Sequence, residues 1–160
     1  MITGGCERFL VLSGPSESDV ANERREIALD HLRQHGYHDV PVLYGDYSYE
    51  SGKACFVEWM KEHPAPDAVI CSNDTMAIGC IDAARVQFGM NVPADLSVVG
   101  FDGIHAAFWS GYDLTTVRQP VNQMAKAAVD ILMERVENPD APPEKRMLAG
   151  TLFKGKTTHD

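Results

Sequence analysis

No stretch of this sequence approaches the roughly 18 to 20 consecutive apolar residues that a membrane-spanning helix needs. Positive charge is also scarce: 14 Lys plus Arg stand against 23 Asp plus Glu, a formal net charge of −9. A surface this acidic repels a polyphosphate backbone, so nucleic-acid binding by these residues themselves is not expected. Residues 1–13 hold neither a basic leader nor a long apolar run, so no secretory signal is read there. The phosphate-cradling patterns G-x-x-x-x-G-K-[ST] and G-x-G-x-x-G are absent. Leu12-Ser13-Gly14-Pro15-Ser16 is not a G-x-S-x-G nucleophile elbow.

Cysteine is sparse and unpaired in pattern. Cys6, Cys55, Cys71 and Cys80 form no C-x-x-C motif and lie in apolar or mixed contexts, which predicts buried free thiols in a reducing cytosol rather than disulfides. His31, His35 and His38 share a near-helical spacing, but Gly36 interrupts it, so neither a metal site nor a cofactor is expected. The sequon at Asn73-Asp74-Thr75 is coincidental if the chain is cytoplasmic, as the missing signal suggests. Trp59 is read as packing on a helix rather than as a recognition residue.

What the sequence does contain is a regular alternation. At 160 residues and 44% hydrophobic, it is long enough to bury one ordinary core. Short apolar runs begin at Phe9, Val40, Ala68 and Leu96, about 30 residues apart, and a helical pattern separates each pair. Ser18 or Asp19 opens the first helix and Gly36 closes it; Tyr49 to Glu62 forms the second, ended by Pro64 and Pro66. Ser72-Asn73-Asp74 supplies capping chemistry for a third helix to Phe88, and Gly89 stops it. A fifth strand is read at Leu114–Val117, a fourth helix from Pro120 to about Val136, and a final strand within Met147–Phe153. Units of this length predict an α/β chain, a doubly wound parallel sheet with helices on both faces.

In such a sheet, ligands collect beyond the carboxyl ends of the strands. Three of those ends carry polar groups: Arg24-Arg25 after strand one, Asn73-Asp74 after strand three, and Asp102 after strand four. A guanidinium, an amide and a carboxylate together suit a hydroxyl-rich molecule. Plainer readings stand beside this one. Asn73 or Asp74 serves merely as a helix cap, Asp102 merely starts a turn, and the two arginines merely face solvent.

Three ordered blocks resemble the LacI/GalR family of bacterial transcription regulators. They are Asp67–Gly79 (D-A-V-I-C-S-N-D-T-M-A-I-G), Val92–Asp102 (V-P-A-D-L-S-V-V-G-F-D) and Leu114–Pro120 (L-T-T-V-R-Q-P), with Gly150–Thr158 echoing the family's closing strand. The resemblance implies one part of a two-lobed effector-binding domain of the periplasmic-binding-protein type. The second lobe would comprise about 8–117 and 146–158, while 118–145 would be a crossover helix belonging to the first lobe. The helix-turn-helix DNA-binding domain and most of that first lobe are expected to lie outside this chain, and operator DNA would be bound only through them. Carried over residue by residue, the effector contacts would be Arg24, Tyr47, Asn73 and Asp102, with Gln119 lining the cleft.

Two departures stand near a loop and the family's dimer contact. Gly103 follows Asp102 where another Asp or Asn is usual, and Tyr112 replaces a proline before Leu114. The resemblance further implies a cytoplasmic repressor without enzymatic activity that works as a homodimer. Its effector would be a sugar, a sugar phosphate or a nucleoside. With the first lobe absent, the 120–136 helix would expose its apolar face and promote self-association. The rivals are a periplasmic sugar-binding protein of a transporter, which shares the fold, and more distantly a small sugar-modifying hydrolase.

Overall fold

Phe9–Ser13 is buried at every position, as a strand covered on both sides must be. A computed structural model describes residues 1–159 and places this run, β1, inside a six-stranded sheet. Along the chain follow α1 (Asp19–Gln34), β2 (Val42–Tyr44), α2 (Tyr49–Glu62), β3 (Ala68–Cys71), α3 (Asp74–Phe88) and β4 (Ser97–Asp102). A short 3-10 turn at His105–Phe108 leads to β5 (Thr115–Arg118), α4 (Val121–Glu137) and β6 (Thr151–Phe153). The strand order is β2-β1-β3-β4-β5-β6. The chain is α/β as the spacing predicted.

β1 to β5 are mutually parallel, and β6 runs antiparallel to β5. The last strand thus departs from an all-parallel sheet. No helix separates α4 from β6, so the chain comes back directly along the edge instead of crossing over. Three strand limits also differ from the pattern. Val40 precedes β2 rather than opening it, Leu96 precedes β4, and Met147 to Gly150 lie outside β6.

Local chemistry explains the helix starts. Ser18 accepts from the Ala21 N–H, Ser48 from Ser51 and Asn73 from Met76, each satisfying one of the orphan donors of a first turn. Gly89 ends α3 in the left-handed conformation, φ 62°.

Alternation along the strands divides the apolar residues between two faces. Leu10, Leu12, Val69 and Val98 pack with Phe56 of α2 and Met76 and Ile81 of α3. The two helices approach closely because Gly52 and Gly79 lack side chains. A Cβ on Gly52 would strike the Met76 backbone, and one on Gly79 would strike the Tyr49 carbonyl. On the opposite face, Phe9 and Ala68 meet Leu32 of α1, while Val11, Ile70, Val99 and Val117 border an open groove. Helices therefore lie on both faces, but α1 covers only one side of its own. α4 contributes no buried residue at all.

The four cysteines are free, and three of them are buried. Trp59 packs against the core and donates its indole N–H to Pro64 O at 3.0 Å. Among the described residues no group of three His, Cys, Asp or Glu is placed to hold a metal ion. No helix is long and apolar enough to cross a membrane.

Candidate functional site

β2 and β3 lie on opposite sides of β1, so the chain reverses its winding direction between β1 and β3. Such a switch point opens a crevice above the carboxyl ends of the two strands. There the Gly14 N–H donates to Ser72 Oγ at 3.0 Å, tying the loop after β1 to the loop after β3.

Arg24 reaches into this crevice from the first turns of α1. One guanidinium nitrogen donates to the Ser72 carbonyl at 2.8 Å, and the other lies 3.2 Å from Asp102 Oδ1. The guanidinium also stacks over the Phe101 ring, 4.0 Å from its centroid. Gln119 donates its side-chain amide to the same Asp102 Oδ1 at 2.6 Å, and its backbone N–H to Asp102 O at 3.1 Å. Both side-chain contacts take one carboxylate oxygen, which leaves Oδ2 to accept from a ligand. The Arg24 and Asp102 side chains are 22% and 28% exposed, so water partly screens their attraction and the pair works mainly as an oriented donor–acceptor set.

Tyr47 and Asn73 form a second group against the first. Asn73 Oδ1 caps α3 through Met76 N, and its Nδ2 donates to Tyr47 O at 2.9 Å. Each amide end therefore has a structural partner, although each retains capacity for one more bond. The Tyr47 ring covers Gly14 so closely that a Cβ there would collide with it, and its hydroxyl shares a 3.0 Å bond with Ser18 Oγ. All five predicted residues thus gather at one end of the sheet. Arg24 and Gln119 line a cavity of about 650 Å³, together with Ser72 and Phe101; Tyr47, Asn73 and Asp102 stand outside its lining.

Backbone strain marks the same place. Tyr47 (φ 70°) and Asp102 (φ 119°) are two of three non-glycine residues with positive φ. Such conformations persist where surrounding contacts enforce them, and they concentrate at binding sites. Gly103 continues in the left-handed region at φ 71°, and a Cβ there would sit 2.7 Å from Arg118 Cα. The departure at Gly103 therefore keeps the local conformation: glycine, asparagine and aspartate are the residues that tolerate it.

Asp74 plays a different part from its neighbour Asn73. It is fully buried, accepts from Thr116 Oγ1 at 2.5 Å and from Ile104 N at 2.8 Å, and so locks α3 to β5 and to the loop after Asp102. Burial pushes its carboxyl above the usual carboxylate range, against the lowering effect of the hydrogen bonds from Thr116, Ile104 and Gly103. Sequence reasoning offered Asn73-Asp74 as one unit; only the contacts separate the crevice residue from the strut.

Ser72 and Phe101 were not singled out as site residues. Strand alternation carried a signal for Phe101, since it falls on the Val99 side of β4 and so on the face of Arg24. The other departure, Tyr112, joins Tyr49 in donating to Asp82 Oδ2, at 3.0 and 2.9 Å, away from the crevice.

A sheet of this winding with its polar set at the switch point defines a lobe of the periplasmic-binding-protein type. The family model described as a periplasmic binding protein-like domain matches residues 1–158, and the chain belongs to that family. The similar proteins narrow the class. The chain is 34% identical over 139 residues to the HTH-type transcriptional repressor PurR of Photobacterium profundum, covering 86% of this chain and 41% of that protein. It is 29% identical over 156 residues to the repressor CytR of Escherichia coli strain K12, covering 96% and 46%.

Among solved structures, the Lac repressor dimer bound to operator and the anti-inducer ONPF superposes with a TM-score of 0.91 at 28% identity, over 99% of this chain and 55% of that one. A LacI transcriptional regulator from a Rhodococcus species gives 0.90 at 28%, over 99% and 58%. These relatives are transcriptional repressors, not enzymes, and with them the chain takes its place as a LacI/GalR-type effector-binding domain. It spans less than half the length of the curated repressors it matches.

Proposed function

We propose that this chain is the second, ligand-reading lobe of a cytoplasmic repressor's effector domain, offering half of a cleft for a small hydroxyl-rich molecule. The observation that carries the reading is the convergence of Arg24 and Gln119 on one oxygen of Asp102 at the switch point. A carboxylate held this way is oriented before the ligand arrives, and its second oxygen accepts from a ligand hydroxyl in a charge-assisted bond. Asn73 and Tyr47 would flank the ligand beside it. Sugars, sugar phosphates and nucleosides all fit that donor and acceptor set, and the exchange of a single hydroxyl contact selects among them.

In this reading 118–145 belongs to the first lobe, and ligand binding closes the lobes. Closure then changes the spacing of paired DNA-binding heads carried elsewhere in a dimeric regulator, a coupling of two sites through one domain motion. The alternative of a transporter's periplasmic sugar-binding protein shares the cleft chemistry, but the relatives quoted above are repressors and do not favour it.

The test is a thermal-shift screen of sugars and nucleosides on the full-length regulator, repeated with Asp102→Ala. A ligand that stabilises the parent should lose roughly ten- to a hundredfold in affinity for the variant, the range for losing hydrogen bonds to a charged group. An undiminished shift in Asp102→Ala would remove the site from the proposal. The 160-residue chain alone should bind the same ligand far more weakly in calorimetry, because it presents only half the cleft.

A further inference from the structure

Two apolar surfaces of this chain are left without cover, and they have complementary shapes. The first is convex. Around α4, Val121, Met124, Val129, Leu132, Met133 and Val136 are each more than 40% exposed, and the polar residues are confined to the remaining arc. The second is concave: the groove on the α1 side of the sheet, floored by Ile70, Val99 and Val117 and walled by Val20 and Ile27 of α1 and by Leu152 of β6.

Parallel strands are stable when both faces are covered, and the usual cover is a helix. From β3 to β6 there are three strand spacings, about 14 Å, which admits one helix of about 10–12 Å diameter and not two. α4 itself lies at the groove's edge, touching it only through Met124.

We infer that the groove is the docking site for α4 of a second copy of this chain. Reciprocity favours this occupant. Each copy carries one groove and one unpartnered helix, so a two-fold dimer satisfies both surfaces of both copies at once. Charge agrees with it. The rim presents Arg24, Arg25 and Arg146 against a single Glu23, whereas α4 carries Asp130, Glu134 and Glu137 against Lys126 and Arg135. Part of this charge is already engaged within the chain, since Arg25 pairs with Glu26, and Arg146 with Glu144 and Asp130. The docked helix would also lie beside Arg24 and Phe101, so it reaches the crevice whatever ligand the crevice takes.

Sedimentation velocity on the 160-residue chain tests this with two surface variants. Ile27 is 65% exposed in the groove wall and Leu132 is 62% exposed on α4, so Ile27→Lys and Leu132→Asp leave the fold intact, which circular dichroism checks. The parent should dimerise with concentration, and each variant alone should weaken the dimer about tenfold or more, as loss of a central apolar contact does. Mixing the two variants should restore association, because the mixed dimer keeps one unaltered helix–groove pair. A parent that stays monomeric at high concentration would overturn the inference. So would weakening by Leu132→Asp alone, which means helix against helix, or a mixture that does not recover.

Discussion

On the side of the sheet that meets α2 and α3, Leu10, Leu12, Val69 and Val98 are sealed beneath Phe56, Met76 and Ile81. On the other side, Ile70, Val99, Phe101 and Val117 are only partly buried, and Leu152 is 67% exposed. Both faces are written in the same apolar residues, because strands of a parallel sheet read as nearly continuous hydrophobic runs. Cover distinguishes them. Free energy of folding concentrates on the sealed face, where close-packed atoms lose water and gain contacts. Capacity to bind something further stays on the open one, next to the polar set at the switch point.

The largest effect expected from this contrast is at Phe56, which is completely buried and meets Phe88 edge to face. Phe56→Ala should cost about 3–5 kcal/mol in chemical denaturation, the usual loss for a buried aromatic ring. Ile27→Ser on the open side should change stability by less than about 0.5 kcal/mol, as surface substitutions do. Comparable losses at the two positions would erase the distinction between the faces.

A smaller effect separates neighbours at the start of α3. Asp74→Ala leaves Ile104 N–H and the Thr116 hydroxyl without a partner and should cost about 1–3 kcal/mol. Asp74→Asn should cost less, because an amide can accept from Ile104 and donate to Thr116. The pH dependence has a definite sign. The folded-state pKa of Asp74 is raised, so its contribution is greatest below the ordinary carboxylate range and declines as pH rises through the raised value. Denaturation series at several pH values should therefore show the parent gaining on Asp74→Asn as the solution is made more acid. A constant difference would mean that burial does not govern this carboxyl.

Much of this arrangement was legible from residues a few positions apart. The runs at Phe9, Ala68 and Ser97, the caps at Ser18 and Asn73, and the stop at Gly89 follow from local rules, and the structure contains them all. The crevice residues were legible by position, since strand ends in an α/β sheet face one side. Interactions between distant segments were not legible. Nothing adjacent to Gly52 or Gly79 signals that two helices cross there, and nothing beside Asp74 signals Thr116. The reversal of β6 has the same origin, because its direction depends on where α4 leaves the chain. The resemblance named Arg24 and Asp102 individually, but that they bond to each other, with Phe101 beneath, required coordinates.

The smallest effect tests the rim of the sealed face. Tyr49 of α2 and Tyr112 of the loop before β5 both donate to Asp82 of α3, and the hydrogen bond to that carboxylate pushes the Tyr49 hydroxyl up to about 12. An unfolded tyrosine ionises near pH 10, so between about pH 10 and 12 the folded chain still holds a proton that the unfolded chain has released. The contribution is therefore complete below pH 10 and is lost as pH climbs to about 12. Tyr49→Phe removes the titrating group, so its stability should fall less steeply than the parent's across that window. The Tyr112 hydroxyl is raised as well, chiefly by desolvation, and the double variant Tyr49→Phe, Tyr112→Phe should give the flattest profile. Urea denaturation at pH 9, 10 and 11 distinguishes the three proteins, and identical slopes would show that α2, α3 and the loop are not joined through Asp82 in solution.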